Sequence, residues 1–396
     1  MRIGLLTYHW VPNFGAQLQT LSTYKYLEKK GYSPIIINWM PEDTKKHYTA
    51  VNPVQREMHD KFILKHCETT TEFSNPNDIS HIIKDYGITH VVIGSDSLFN
   101  IYKASRNHRT FKIDYPTTDH AYPNPFWGVG FENIPHVGLS ISSQNANYKD
   151  FYNEAKEIGS SLKHFCAISV RDEWTQSLVS YFTKGGILPN VTPDPVFAFN
   201  ENVNLQVEKK DIVSKFNLSD RYILFSFSKG RWNASQKWLD CITEKFHADG
   251  YQCVELVKSG GQKLNIDGKI SFPLDPLDWY NLIRFSSAYI GVLMHPIVIC
   301  LHNVVPFFSF DHYGVGPLMF AKKSSSKIFD IIKKADLLKY HFFEKNHLKF
   351  PSADNVYELI KNFPKDKCAV FSEKQQQSCL DNMDYLILQL TNEKND

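Results

Sequence analysis

The sequence predicts an α/β protein made of two Rossmann-like domains that face one another across a cleft. Apolar runs of strand length alternate with helical stripes, the runs are apolar on both faces, and the second half of the chain repeats the plan of the first. A strand without a polar face belongs in a parallel sheet covered by helices on both sides. At about 150 residues per domain, a chain of 396 residues also divides more naturally into two domains than one.

The first unit opens with an apolar strand over residues 3–8 and a loop over 9–16 that holds the breakers Pro12, Asn13 and Gly15. Leu18, Leu21, Tyr24 and Leu27 then recur near helical spacing, and Gly31 stops that helix. A second strand over 33–39 is built on Ile35-Ile36-Ile37. Strands over 89–94, 136–141 and 166–170 follow, ending in Ser95-Asp96, Ser142-Ser143 and Arg171-Asp172. Residues 115–131 are rich in proline and aromatics and show no period, so they read as a long loop over the sheet edge, either a binding loop or a packed Ω-loop. Residues 200–220 are polar and aperiodic and read as a linker.

Beyond that linker the plan recurs. A strand over 222–227 runs into the tight loop Ser228-Lys229-Gly230-Arg231. A helix on Trp238, Leu239, Ile242 and Phe246 ends at Gly250, and a strand follows over 251–257. Lys30-Gly31-Tyr32 and Asp249-Gly250-Tyr251 mark the same junction in the two halves. A helix over 276–286, a strand over 288–292, a turn at Met294-His295-Pro296, a short helix through Cys300 and a strand over 306–310 come next. A helix over 368–390 closes the chain, which places the domains at 1–205 and 206–396.

Composition excludes several functions. The 44 Lys and Arg against 42 Asp and Glu leave a net charge of +2, too little for a protein that mainly binds nucleic acid. An anionic ligand must then be met by a few placed cations. Seven cysteines without a C-x-x-C pair suggest neither a disulfide framework nor structural zinc, and the N-terminus does not read as a signal peptide, so a cytoplasmic location is expected. The apolar region 285–310 is broken by His295-Pro296, His302-Asn303 and Pro306 and does not read as a membrane span. With 28 Phe, 20 Tyr and 7 Trp, aromatic residues make up 14% of the chain, and Tyr122, Phe126 and Trp127 are expected to give apolar faces to a sugar.

The residues that follow strands are those to weigh, because ligands of doubly wound sheets lie beyond the strands' carboxyl ends. Asn13, Gly15, Gln17 and Gln19 surround a helix start suited to an anion or a sugar hydroxyl, with helix capping the plain alternative for Asn13. Lys229 and Arg231 flank a glycine between strand and helix, which suits a phosphate or carboxylate, or else leaves two solvated charges on a turn. His295 could be a core or a catalytic histidine, Arg171 an anion anchor or a member of a charge network, and Asp96 a helix cap. There is no G-x-G-x-x-G, Walker loop, D-x-D or H-E-x-x-H, so dinucleotide, nucleotide-hydrolysis and metal sites have no positive sign.

These segments together resemble the polysaccharide pyruvyl transferase family. Asn13-Phe14-Gly15-Ala16-Gln17-Leu18-Gln19 is similar to its N-Y/F-G-A-x-L-Q entry, and Val92-Ile93-Gly94-Ser95-Asp96 to its V-G-S-D strand end. Ile168-Ser169-Val170-Arg171-Asp172-Glu173 is similar to its S-V-R-E/D-E segment, Asp194-Pro195 to its D-P, and residues 277–291 leading to His295 and Pro306-Phe307 to its closing motif. The resemblance implies a GT-B-like fold and transfer of the enolpyruvyl group of phosphoenolpyruvate onto two sugar hydroxyls, without a cofactor or metal, during capsular or exopolysaccharide assembly. It implies His295 as the acid that protonates the donor and Asp96 as the group that deprotonates or orients the acceptor. Arg171, Lys229 and Arg231 are the implied donor anchors, and Asn13, Gly15, Gln17, Gln19, Ser95, Tyr122 and Trp127 further substrate contacts. The acceptor domain would be the first and the donor domain the second. The acceptor would be lipid-linked by family habit, which allows peripheral membrane contact. Leu293 and Pro296 depart from the arginine and small residue that members often carry, and Ser97 and Phe99 from glutamine and tryptophan. A metal-independent glycosyltransferase and a catalytically inactive glycan-binding relative are the alternatives.

Overall fold

The computed structural model describes every residue except 50–51, 107–110, 145, 230–232, 313, 315–321, 348 and 393–396. The chain forms two compact units, Met1–Val203 with Gln377–Asp396, and Asn204–Gln376.

In the first unit six parallel strands, β1 (Arg2–Leu6), β2 (Ser33–Ile36), β3 (His90–Asp96), β4 (His136–Ile141), β5 (Ala167–Val170) and β6 (Asn190–Val191), lie in the order β2-β1-β3-β4-β5-β6. Gly4 of β1 sits opposite Ile35 on one side and Val91 on the other. The strands are apolar on both faces because helices cover both. Helix α1 (Phe14–Lys29) returns from β1 to β2, and Asn13 caps it by accepting from the Gly15 amide at 2.9 Å. Helix α2 (Glu42–Thr49) follows β2, and helix α3 (Glu173–Phe182) follows β5 under an Asp172 cap.

The second unit repeats the design with β7 (Tyr222–Ser226), β8 (Gln252–Leu256), β9 (Gly268–Ile270), β10 (Ala288–Gly291), β11 (Phe307–Asp311) and β12 (His341–Phe343), ordered β9-β8-β7-β10-β11-β12 and parallel throughout. Read in strand sequence this is 3-2-1-4-5-6, the order of dinucleotide-binding sheets. Each unit has its own apolar core, one running from Leu6 through Trp127 to Phe182 and the other from Ile223 through Trp238 to Ile360. The fold is the α/β pair of Rossmann-like domains that the strand pattern predicts.

Three expectations need correcting. The stretch 200–220 is no plain linker, since helix α4 (Lys209–Phe216) forms there, started by a capping box between Glu208 and Asp211 and anchored by buried Ile212. Met294-His295-Pro296 is no turn but the first turn of helix α5 (Met294–His302), where a proline costs no hydrogen bond because that amide has no helical partner. The closing helix α6 (Lys365–Thr391) does not belong wholly with the second unit. From Gln377 onward it packs with the first: Asn382 Nδ2 donates to Ser169 Oγ at 3.1 Å, and Asp384 accepts from Tyr26 and pairs with Lys30, both at 2.5 Å.

Candidate active site

In a doubly wound sheet the ligand crevice opens where strand order reverses, beyond the carboxyl ends of the strands. In the first unit that point lies between β1 and β3. Thr7, just past β1, ties the two strand ends together by donating to the Ser95 carbonyl at 2.6 Å. Gly94 has φ 131°, and a Cβ there would lie 2.1 Å from the Leu139 carbonyl oxygen, so only glycine lets β3 and β4 approach and aim the chain into Asp96.

A buried polar network assembles behind that edge. Arg171 Nη1 donates to Asp194 Oδ2 at 2.5 Å, the same oxygen that accepts from Gln19 Nε2 at 2.5 Å, and Arg171 Nη2 lies 3.9 Å from Asp96 Oδ1. Burial opposes the guanidinium's charge, but Asp194 and then Asp96 outweigh it and raise its pKa above the usual arginine value. Arg171 is therefore an internal counter-ion, which corrects its expected role as a donor anchor. Gln19 is likewise fully buried and spends its amide on Asp194, and fully buried Gln17 donates to the His9 carbonyl at 2.5 Å and the Val11 carbonyl at 3.4 Å. The Gln17 amide nitrogen thus holds the loop and that of Gln19 holds Asp194, while the Oε1 of each is buried without a hydrogen-bond partner among the described residues. Ser95 is buried and donates to the Ser140 carbonyl at 2.8 Å. Gly15 is buried in the first turn of α1, and Asn13 is exposed beside it. Asp96 keeps one oxygen outward: Oδ1 accepts from the Ser97 amide at 2.6 Å, while Oδ2 accepts no hydrogen bond from a described residue.

The loop 115–131 behaves differently from expectation. Phe126 and Trp127 are fully buried, and Trp127 stacks on Phe99 with ring centroids 4.3 Å apart, so these rings fill the core and present no face to a sugar. Tyr122 is half-buried and shares a 2.9 Å hydrogen bond with Ser161. What the loop does bring to the edge is a pair that sequence reasoning passed over, Asp119-His120. Tyr8 donates to Asp119 Oδ2 at 2.7 Å, Thr44 donates to Oδ1 at 2.6 Å, and His120 Nδ1 lies 3.3 Å from Oδ2. Burial alone would raise the Asp119 pKa, yet His120, Thr44 and Tyr8 together hold it down at about 2. Tyr48 is pushed up to about 12 by burial, then by Asp119 and Asp96, which places both carboxylates in one locality.

In the second unit the order reverses between β7 and β10. Lys229 is exposed just past β7, and Arg231 lies outside the described residues. Lys258, beyond β8, donates to Ser228 Oγ at 3.0 Å, and burial lowers its pKa. His312, beyond β11, is lowered by burial and then by the positive charges of Lys258 and Lys345. Glu344, beyond β12, is pushed up to about 7 by burial and by Asp311. His295 is the second residue of α5, half-buried, at a helix start without a side-chain cap. Backbone amides of that kind and lysines along one sheet edge favour an anion. Glu344 and Lys345 were missed because β12, which precedes them, is only three residues long, whereas Lys258 and His312 follow strands that are plain in the sequence and gain their meaning from neighbours on other strand ends.

Among the described residues, one group could gather a metal, His247, Cys253 and Asp267. Asp267 Oδ2 already accepts from His247 Nε2 at 2.6 Å and from the Cys253 amide at 2.7 Å, and burial keeps the thiol protonated by raising its pKa. It sits by the start of β8, not at a carboxyl edge.

A sequence model of the polysaccharide pyruvyl transferase family matches residues 13–313. The chain belongs to that family. Its four N-terminal family-like segments each contribute one member to the buried network, namely Gln19, Asp96, Arg171 and Asp194. A search of curated proteins found no match. Among solved structures, the Neisseria meningitidis UDP-GlcNAc 2-epimerase bound to UDP-GlcNAc is similar at TM-score 0.56 and 10% identity, over 99% of this chain and 100% of that one. A UGT transferase from Siraitia grosvenorii in complex with UDP aligns at TM-score 0.54 and 9% identity, over 99% and 100%. Arabidopsis thaliana UGT89C1 complexed with UDP-L-rhamnose aligns at 0.51 and 8%, over 98% of each chain. At such identities the likeness speaks for the fold, and this pyruvyl transferase family member shares the GT-B-like pair of α/β domains.

Proposed function

We propose that the protein transfers the enolpyruvyl group of phosphoenolpyruvate to two hydroxyls of a sugar, forming a cyclic pyruvate ketal during assembly of a capsular or exopolysaccharide in the cytoplasm. The observation that carries this reading is the family match over residues 13–313, supported by the convergence of its motifs behind one sheet edge. The sugar, lipid-linked at its reducing end, would lie against Asn13 and Asp96 of the first unit, with buried Gly15 and Ser95 shaping the backbone behind them. Phosphoenolpyruvate would lie against the second unit's edge, its phosphate and carboxylate met by Lys229, Arg231, Lys258 and the start of α5.

The chemistry balances without a cofactor. C2 of the donor gains two bonds to sugar oxygens and loses its π bond to C3 and its bond to the bridging phosphate oxygen. C3 takes up one proton to become a methyl group. The two hydroxyls release two protons, one offsetting that uptake and the other leaving with inorganic phosphate. In this reading His295 delivers the proton to C3, and the outward oxygen of Asp96 takes a proton from one hydroxyl. No helix among the described residues is long and apolar enough to cross a membrane.

The donor can be tested without knowing the acceptor. A ligand that binds only the folded state at a hundred times its Kd stabilises it by about 2.7 kcal/mol. Phosphoenolpyruvate is expected to raise the melting temperature where UDP does not, and Lys258→Ala to lose most of that rise. Stabilisation by UDP alone would point to a sugar-nucleotide donor instead.

A further inference from the structure

Ketal closure releases a proton from each of two hydroxyls, and Asp96 alone accounts for one. A second proton acceptor is therefore needed on the acceptor side, and the Asp119-His120 pair has the form of one. Asp119 is fully buried and ionised, with Tyr8, Thr44 and His120 on its two oxygens and its own carbonyl receiving Asn124 Nδ2 at 3.1 Å. His120 Nδ1 faces inward, 3.3 Å from Asp119 Oδ2 and 3.0 Å from Thr117 Oγ1. An anion at that distance favours the tautomer with its proton on Nδ1. Nε2 then carries the lone pair, and it makes no hydrogen bond to a described residue, while the side chain keeps 17% exposure. The ring is held between Tyr8 and Tyr102, at centroid distances of 6.4 and 5.2 Å.

We propose that His120 is a catalytic residue, the general base for the second acceptor hydroxyl, and that Asp119 is its positioning residue. The inference rests on the ketal-forming reading above. Nε2 takes the hydroxyl proton as the sugar oxygen bonds to C2 of the enolpyruvyl group, and the proton passes to the departing phosphate, so that His120 ends the cycle neutral. The charged and titratable neighbours that bear on this step are Asp119 on its own loop, Tyr8 past β1, Asp43 on α2, which accepts from Thr118, Tyr48 on α2, which senses Asp119, Tyr102 against the ring, and Asp96 at the end of β3. A base of this kind contributes on the order of 10²–10⁴ in rate.

The test compares wild type, His120→Ala, His120→Gln and Asp119→Asn with phosphoenolpyruvate and a panel of lipid-linked acceptors, reading ketal product by mass and phosphate release by colorimetry. His120→Ala is expected to lower turnover by at least about a hundredfold while leaving the thermal shift with phosphoenolpyruvate unchanged. Added imidazole should restore part of that loss, which no structural role would allow. Asp119→Asn should lower kcat with the KM for phosphoenolpyruvate unmoved, and imidazole should not rescue it. If His120→Ala loses its circular dichroism signature, His120→Gln, which keeps an inward amide for Thr117, carries the comparison. A wild type that forms ketal together with a His120 variant of undiminished rate would overturn this assignment alone. A wild type that forms no ketal would overturn the transferase reading and this role with it.

Discussion

Arg171 shows how a single partner changes what a charged side chain does. A guanidinium at the end of a strand suits a phosphate ligand, but Asp194 lies 2.5 Å away inside the fold and claims it. Removing one member of a buried pair leaves the other charged and unsolvated, which costs about 3–5 kcal/mol. Arg171→Ala is accordingly expected to lower stability by that much in urea denaturation, before any effect on catalysis. A loss below about 1 kcal/mol would show that Asp194 does not need its cation. The partner was visible in the sequence as Asp194-Pro195, yet nothing in a linear pattern says that two residues 23 apart share a buried, charged hydrogen bond. The same blindness applies to Trp127, whose burial depends on Phe99 from another strand end. Asp119-His120 was hidden for a related reason: it lies in a loop with no period, and its meaning comes from Tyr8 and Thr44, far away in the chain.

Elements were more legible than residues wherever they are buried on both faces. The runs behind β1, β3, β4, β7 and β10 are continuous because no side of those strands meets water, and continuity survives in the sequence. The strands β6, β9 and β12 span two or three residues each and left no such run. Strand β3 carries the site through Gly94, which no pattern of apolar residues reveals but a positive φ explains. Gly94→Ala is expected to destabilise the protein by about 3 kcal/mol or more, since it combines left-handed strain with an overpacked contact on the Leu139 backbone. Gly31, with φ 82° and open space around it, should cost only about 1 kcal/mol on the same change. Equal losses in thermal melts would deny that close approach of β3 to β4 is what the glycine serves.

At the scale of the whole molecule, two sheets of parallel strands each leave one edge lined with polar and charged groups. The first edge offers two carboxylates, a histidine and tyrosines. The second offers lysines, a histidine and an uncapped helix start. That division suits a neutral sugar that must lose protons and a donor that carries anions. The near-neutral total charge of +2 is compatible with it because the cations are few and placed. Of the three rings expected to face a sugar, Phe126 and Trp127 pack within the first core and Tyr122 is half-buried against Ser161. The central claim concerns the reaction, and incubation with phosphoenolpyruvate and lipid-linked acceptors containing galactose, mannosamine or glucose tests it most directly. The account predicts an acceptor that gains the mass of one pyruvate ketal, with one phosphate released per ketal formed. Unchanged acceptors throughout the panel, with no phosphate released, would contradict it.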